Sequence, residues 1–533
     1  MHPCLLIDEI LGHVATFCSG DELAVARLGQ VCRAFYEPAM DVLWAETPLV
    51  LEKLLLCLPA DAVNTARLYS RAKGSRMPHP LCCGIKRAIL PFEWDRFVHH
   101  TRRVKSLNLS VPPATHTWTV AGGSEGAQTY LTALRARFEE GPVFPNLQEL
   151  LMSDFFAPWM GLFLHRGLIS FHISDCNYTD LPQVLVSLAP CAPCLRTVST
   201  ELWGPSGDSA VSNAHESLLV HCANLTSFRT NCSVTPSTLL VLSTASHLKT
   251  LYLYSPLLLS LLSPHPSWKP MSFTSLECLQ LSSSTQCLTH LLLVASFPAI
   301  RSIQLDLNVD LPETEIAWPS ISLPQIHIMM NALARFSSLE EISIQLSPSV
   351  QSSDALSGDT LLALLPLQNL TNVFICIRRI CLRSDHIAKM AAAWPKLQSL
   401  LLGPQDPWTD GRSPQTPTSI CIEDLYPFAQ GCPSLRTLAV TISGNMAPLI
   451  PFICDDTTVV QWSLQELRLQ ESFLQPGWEC VRVANFLSAV FPRAYNQFSM
   501  HSRGRRDEIH AVLAEDAALT DAIDFRAGVL CTP

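Results

Sequence analysis

The chain is poor in charge. Only 15% of its 533 residues are Asp, Glu, Lys or Arg, and the basic ones are scarcer, 36 against 46, for a net charge of -10. Recognition of nucleic acid needs a concentrated basic surface. None is written here, so no nucleic-acid partner is expected. The densest basic cluster, Arg503, Arg505 and Arg506, reads as a solvated tail. Uninterrupted apolar runs of about 18 residues, the length of a membrane span, are also missing. The nearest, LLVLSTASHLKTLYLYSPLLLSLL, is broken by His247 and Lys249, so no membrane partner is expected. The opening MHPCLLIDEILGH has no basic region before its apolar run, and Asp8 and Glu9 interrupt that run. It does not read as a secretory signal. The expected location is intracellular, cytoplasmic and/or nuclear.

The signatures of chemistry are absent as well. There is no G-x-G-x-x-G or G-x-x-x-x-G-K-[ST] loop to cradle phosphate and no G-x-S-x-G nucleophile turn. Cys191 and Cys194 form a C-x-x-C, but zinc needs two more ligands at disciplined spacing, and Cys176, Cys222 and Cys232 are irregular. His99 and His100 lie on an expected amphipathic helix beside Trp94 and Phe97 and read as surface or satisfied histidines. Carboxylates are sparse and fall mostly in loops, so no acid–base pair stands out. The expectation is a protein without catalytic residues, cofactor or metal. The 20 cysteines are scattered, often where a small apolar residue fits, as at Cys278 and Cys376. In a reducing compartment they read as free thiols that pack like small hydrophobes. The sequons at Asn108, Asn177, Asn224 and Asn369 mean little without a secretory signal.

What the sequence does have is apolar residues, 48% of the chain, and a phrase that recurs. The phrase is L-x-x-L-x-L, in about thirteen copies, the mark of a repeat architecture. Clear copies are Leu248/Leu251/Leu253, Leu276/Leu279/Leu281, Ile300/Ile303/Leu305, Leu339/Ile342/Ile344, Leu370/Val373/Ile375, Leu397/Leu400/Leu402, Leu435/Leu438/Val440 and Leu464/Leu467/Leu469. Weaker ones are Val104/Leu107/Leu109, Leu147/Leu150/Met152, Leu168/Phe171/Ile173, Leu195/Val198 and Leu225/Phe228. The last two apolar positions share one face of a short strand, and the first suits a corner leading into it. A continuous helix fits poorly, because positions five apart lie about 140° apart around its axis. Segments such as QIHIMMNALARF, HIAKMAAAW, LTHLLLVASF and DLYPFAQGC precede the phrases at helical spacing. The unit is therefore helix, corner, short strand and loop, and it resembles an irregular leucine-rich repeat.

One such unit cannot bury both its strand face and its helix face, but stacked units can. The expected fold class is α/β, a curved solenoid with a parallel sheet on its concave side. The informative residues lie between the leucines, as at Lys249 and Thr250, Glu340 and Glu341, Gln398 and Ser399, Arg436 and Thr437, and Gln465 and Glu466. Gln280, Gln304, Ser343 and Arg468 are expected to line the concave face and hold a protein partner.

The first 45 residues carry no repeat phrase. Leu6, Ile10, Val14 and Phe17 fall near one helical face, with Ile7 and Leu11 beside it. Ser19, three residues before Glu22, reads as a capping box opening a second helix through Leu23, Leu28 and Val31. Pro38 reads as the first position of a third, carrying Met40, Leu43 and Trp44. Three short helices make a small core that often needs a partner to cover its apolar surface.

The stretch LIDEILGHVATFCSGDELAVARLGQVCRAFYEPAMDVLW resembles an F-box. Leu6, Glu9, Ile10 and Leu11 match the family's opening and Leu23 its second-helix leucine. Val31, Cys32, Arg33 and Phe35 match the middle, and Leu43 and Trp44 the end. Ile7 stands where the family usually has Pro. With FEWDRFVHHTRRVKSLNL and VANFLSAVFP framing the repeats, the chain is similar to fungal F-box proteins with leucine-rich-like C-terminal domains. The resemblance implies the substrate-recognition subunit of a cullin–RING ubiquitin ligase. Leu6, Ile7, Ile10, Leu11, Leu23, Val31, Cys32, Phe35, Leu43 and Trp44 would hold a Skp-type adaptor, and through it a cullin. The repeats would hold a protein target. A leucine-rich scaffold outside any ligase is the alternative. The expected organisation is an F-box at 1–50, a helical connector at 51–100 with a docking helix in PLVLEKLLLCLPA, a solenoid at 101–495 with an early loop at 111–128, and a tail or cap at 496–533.

Overall fold

The computed structural model describes residues 7–45, 50–68, 79–109, 123–139, 141–176, 179–202, 209–254, 270–307, 323–346, 355–377, 380–403, 419–443, 459–469, 472, 478–494, 498–499 and 509. The chain forms two compact units, Met1–Leu248 and Lys249–Pro533.

The first unit opens with α1 (Asp8–Phe17), α2 (Glu22–Val31) and α3 (Arg33–Ala45). The cap of α2 is Asp21, not Ser19: its carboxylate accepts from the backbone N–H groups of Leu23 and Ala24, while Ser19 sits in the turn between the helices. Asp21 is the residue placed to reach those two unsatisfied donors. Pro38 lies inside α3 rather than at its start, because the helix begins directly after the extended Cys32. Next come α4 (Val50–Leu55), an antiparallel pair of β1 (Val63–Leu68) and β2 (His79–Ile85), and α5 (Asp95–Thr101). Residues 51–100, expected as a helical connector, thus also hold a strand pair. The leucines of α4, Leu51, Leu54 and Leu55, are core residues rather than a docking face.

The repeats of this unit are β3 (Ser106–Leu109), α6 (Gly123–Arg137), β4 (Glu149–Ser153), β5 (Ser170–Cys176), α7 (Leu181–Ser187), β6 (Thr197–Leu202), α8 (Ser209–Leu219), β7 (Ser227–Thr230) and α9 (Pro236–Thr244). The expected loop at 111–128 is corrected at its end, where residues 123–128 are already helix. Strands β3 to β7 run parallel in chain order.

The second unit repeats the plan with β8 (Thr250–Leu253), β9 (Met271–Ser272), β10 (Cys278–Ser282), α10 (Thr285–Val294), β11 (Ala295–Ser296), β12 (Ser302–Leu307), α11 (Leu323–Leu333) and β13 (Glu341–Leu346). It continues with β14 (Leu356–Ser357), α12 (Gly358–Leu361), β15 (Asn372–Cys376), β16 (Ile380–Cys381), α13 (Ser384–Ala393), β17 (Ser399–Leu402), α14 (Tyr426–Gly431), β18 (Thr437–Ala439), β19 (Glu466–Arg468), α15 (Trp478–Val490) and β20 (Phe498–Ser499). The parallel order is β8-β10-β12-β13-β15-β17-β18-β19-β20, and β9 with β11 and β14 with β16 make separate two-strand pairs. The expected closing helix after Arg503 falls outside the described residues, apart from the buried Ile509.

Every copy of the phrase lands on a strand of the parallel ladders. Its first apolar residue is a buried corner and its later ones point to the helix layer, as in the alternation of β12, where Ile303, Leu305 and Leu307 are buried and the residues between are half-buried. Corners are stitched unit to unit. The backbone N–H of Glu340 and of Glu341 both donate to the Arg301 carbonyl, at 2.8 and 2.9 Å, and the same pattern recurs along the ladder. Asn146, Asn224 and Asn369 add side-chain bonds to the carbonyls of Arg102, Pro193 and Ser337 in the preceding corner. Two of the four sequons are thus explained as corner residues that satisfy backbone carbonyls.

Candidate docking surfaces of the helical module and the sheet

The three-helix module has a thin core of Leu11, Ala15, Val25, Phe35 and Ala39. Gly29 lets α2 approach α3, since a Cβ there would stand 3.1 Å from that of Ala39. The other apolar stripe of α1 is uncovered: Ile7, Ile10, Val14 and Phe17 are exposed, Phe17 at 94%. On α2, Leu23 and Val31 are exposed at 59% and 70%. Six exposed large apolar side chains on one small module are the raw material of an interaction surface.

The sequence-predicted adaptor residues therefore divide. Ile7, Ile10, Leu23 and Val31 lie on the exposed surface, and Leu11 and Phe35 in the core beneath it. Cys32 is half-buried, as are Leu43 and Trp44, and Trp44 packs on His100 with ring centroids 4.9 Å apart. Leu6 is outside the described residues. Val14 and Phe17, which the sequence puts on the same helical face as Ile10, are exposed with it.

Arg103 fastens this module to the start of the repeats. Its side chain is almost fully buried and pairs with both Glu37 and Asp41 on α3. The Arg103 guanidinium holds the Glu37 carboxyl below the usual range. His99 approaches the same guanidinium at 3.0 Å. His100, beneath Trp44, is pushed down to about 4 by burial first and by neighbouring cations second. Lys105 closes the joint, its N–H donating to the Ala45 carbonyl at 3.1 Å.

In the second unit the sheet residues not facing the helices form rows across the strands. Gln280 pairs in register with Gln304, and Gln304 with Ser343. Tyr252 extends this row on one side and Phe374 on the other. Three of the four sequence-predicted sheet residues are thus neighbours. Arg468 is further along the ladder, held by Glu466 of its own strand at 2.7 Å. A flanking row holds Ser302, Glu341 and Asn372, and the opposite one Ser282, Asp306, Gln345 and Cys376. The Asp306 carboxyl is raised by burial, against the opposing effect of the Gln304 and Gln280 amides. Tyr252, Asp306 and Phe374 were not singled out in the sequence, although all three occupy open-face positions of their strands.

The C-x-x-C lies in a 3-10 segment, Ala189–Cys194, ahead of β6, with Cys191 buried and Cys194 exposed. Burial raises the Cys191 thiol to about 11, so it is a packing group rather than a nucleophile. Among the described residues no helix is long and apolar enough to cross a membrane.

No family model matches the chain, and no curated protein matches it. Among solved structures it is similar to an internalin of Listeria monocytogenes, with 14% identity over 66% of this chain and 92% of that one, at a TM-score of 0.33. It is also similar to a leucine-rich-repeat protein of Leptospira interrogans, with 12% identity over 75% of this chain and 97% of that one, at a TM-score of 0.29. The stacked strand–helix units make the repeat part of the chain leucine-rich-repeat-like in fold.

Proposed function

We propose that the protein is the target-recognition subunit of a cullin–RING ubiquitin ligase, working inside the cell. The helical module binds a Skp-type adaptor, the repeats bind a protein target, and the chain performs no chemistry of its own. It raises the effective concentration of a target lysine near the ubiquitin-bearing enzyme. The observation that carries this reading is the uncovered apolar surface of Ile7, Ile10, Val14, Phe17, Leu23 and Val31, on a module whose sequence resembles an F-box. A module with so thin a core has little reason to leave these side chains in water unless a partner covers them.

The test is a titration of the full-length protein with purified Skp-type adaptor, beside an Ile10→Asp/Val14→Asp variant. Both positions are on the exposed side of α1, so circular dichroism should be unchanged. Ile10 and Val14 are 36% and 37% exposed, so a partner can bury about a third of each. That is worth roughly 0.5–1 kcal/mol apiece, and with two carboxylates placed in an apolar contact, binding weaker by about tenfold or more is expected. A folded wild-type protein that does not bind adaptor defeats the ligase reading and leaves a leucine-rich scaffold.

A further inference from the structure

We infer that the sheet face between β8 and β15 is the target-holding site, and that it takes an extended, unphosphorylated segment carrying a Lys or Arg side chain. This rests on the reading of the repeats as the part that holds the target. The central row runs Tyr252, Gln280, Gln304, Ser343 and Phe374, aromatic at both ends and neutral polar between. Four strand spacings separate its ends, about 19 Å at ~4.8 Å each, the span of roughly six extended residues. The amides of Gln280 and Gln304 suit a peptide backbone, and the rings suit its side chains.

Two carboxylates flank the middle of the row, Glu341 two residues before Ser343 and Asp306 two residues after Gln304. Among the described residues neither is paired with a cation. Glu341 accepts from the Ser302 hydroxyl at 3.2 Å and the Asn372 amide at 2.8 Å. Asp306 accepts from the Gln304 amide at 3.5 Å. The described cations at the entrances to these strands are already committed, Lys249 to Glu277 at 3.0 Å and Arg301 to Glu340 at 3.2 Å. The patch therefore keeps its negative charge. A phosphorylated or acidic segment would be repelled, whereas a cationic side chain lying over Gln304 and Ser343 has a carboxylate on either side.

The experiment pans a display library of random linear peptides on the immobilised full-length protein. An enriched peptide is then synthesised with its Lys or Arg kept or changed to Gln, and both are titrated against wild type and Asp306→Asn/Glu341→Gln. Enrichment of cationic peptides is expected, with about a tenfold preference for the cationic form that the double variant abolishes. If the double variant fails to fold, the exposed single change Glu341→Gln carries the test. Enriched peptides without a cation, a preference the variant leaves intact, or no enrichment on a folded protein would each overturn the inference. Adaptor titration keeps the two ideas apart. Adaptor binding without cationic selection removes only this site, and cationic selection without adaptor binding removes only the ligase reading.

Discussion

At the scale of single residues, the buried layer of the first unit contains an unusual polar point. The row Leu109, Met152 and Ile173 continues into Thr200 and Thr230, both fully buried. Their hydroxyls are 2.8 Å apart, and Nε2 of the buried His215 lies 3.0 Å from Thr200. Burial holds the His215 imidazole down to about 4. In an unfolded chain a histidine takes its proton near 6.5. Between these values the unfolded state binds more protons, so stability must fall as pH drops through that window. The slope from one such group approaches ~1.4 kcal/mol per pH unit, which integrates to about 1.6 kcal/mol between pH 6.5 and 5. Urea unfolding across this range should show the loss, and His215→Gln should flatten it by about one proton. Parallel pH profiles for the two proteins would show that His215 is not linked to folding.

At the scale of elements, the repeats were legible and their surroundings were not. The phrase names strands because a corner followed by alternation is a local pattern, and every local pattern here agrees with the ladder it joins. Gln280, Gln304 and Ser343 were legible as a face for the same reason, but their lateral neighbours depend on unit lengths that vary along the chain. The module shows the opposite case. Two apolar stripes run along α1, and sequence alone does not tell which is core; Leu11 and Ala15 turn inward while Ile10 and Val14 stay out. Packing at the Cα level was hidden too, because a glycine in a helix reads only as a weak spot. Gly431, the last residue of α14, lies so close to α13 that a Cβ would stand 2.5 Å from the Ala391 carbonyl oxygen. Backbone cannot swing aside, so Gly431→Ala should cost about 1–3 kcal/mol by forcing the helices apart. Gly12 in α1 meets nothing within 4 Å. Gly12→Ala should therefore gain up to ~1 kcal/mol from helix propensity. Urea midpoints of opposite shift would confirm the pair, whereas equal shifts would mean that α13 and α14 are not held at this distance.

At the scale of the whole molecule, the two candidate surfaces are built by different physics. The module's surface is apolar and belongs to the first unit; the neutral polar row with its two flanking carboxylates belongs to the second. The two surfaces have no residue in common, Ile10 and Val14 standing in the first unit and Asp306 and Glu341 in the second. Changes at sites without common partners add to within about 0.3–0.5 kcal/mol. Combining Ile10→Asp/Val14→Asp with Asp306→Asn/Glu341→Gln should thus lower adaptor affinity no further than the first pair alone. Peptide affinity should likewise fall no further than with the second pair alone. Titration of each ligand in the presence of the other supplies the same comparison without mutation, since coupling between sites is reciprocal. Independence is what the proposed bridging role expects, since such a subunit would hold its target whether or not a ligase is assembled around it. A measured coupling of a kilocalorie or more would instead mean that adaptor binding changes the repeats, and target capture would then be a step under the adaptor's control.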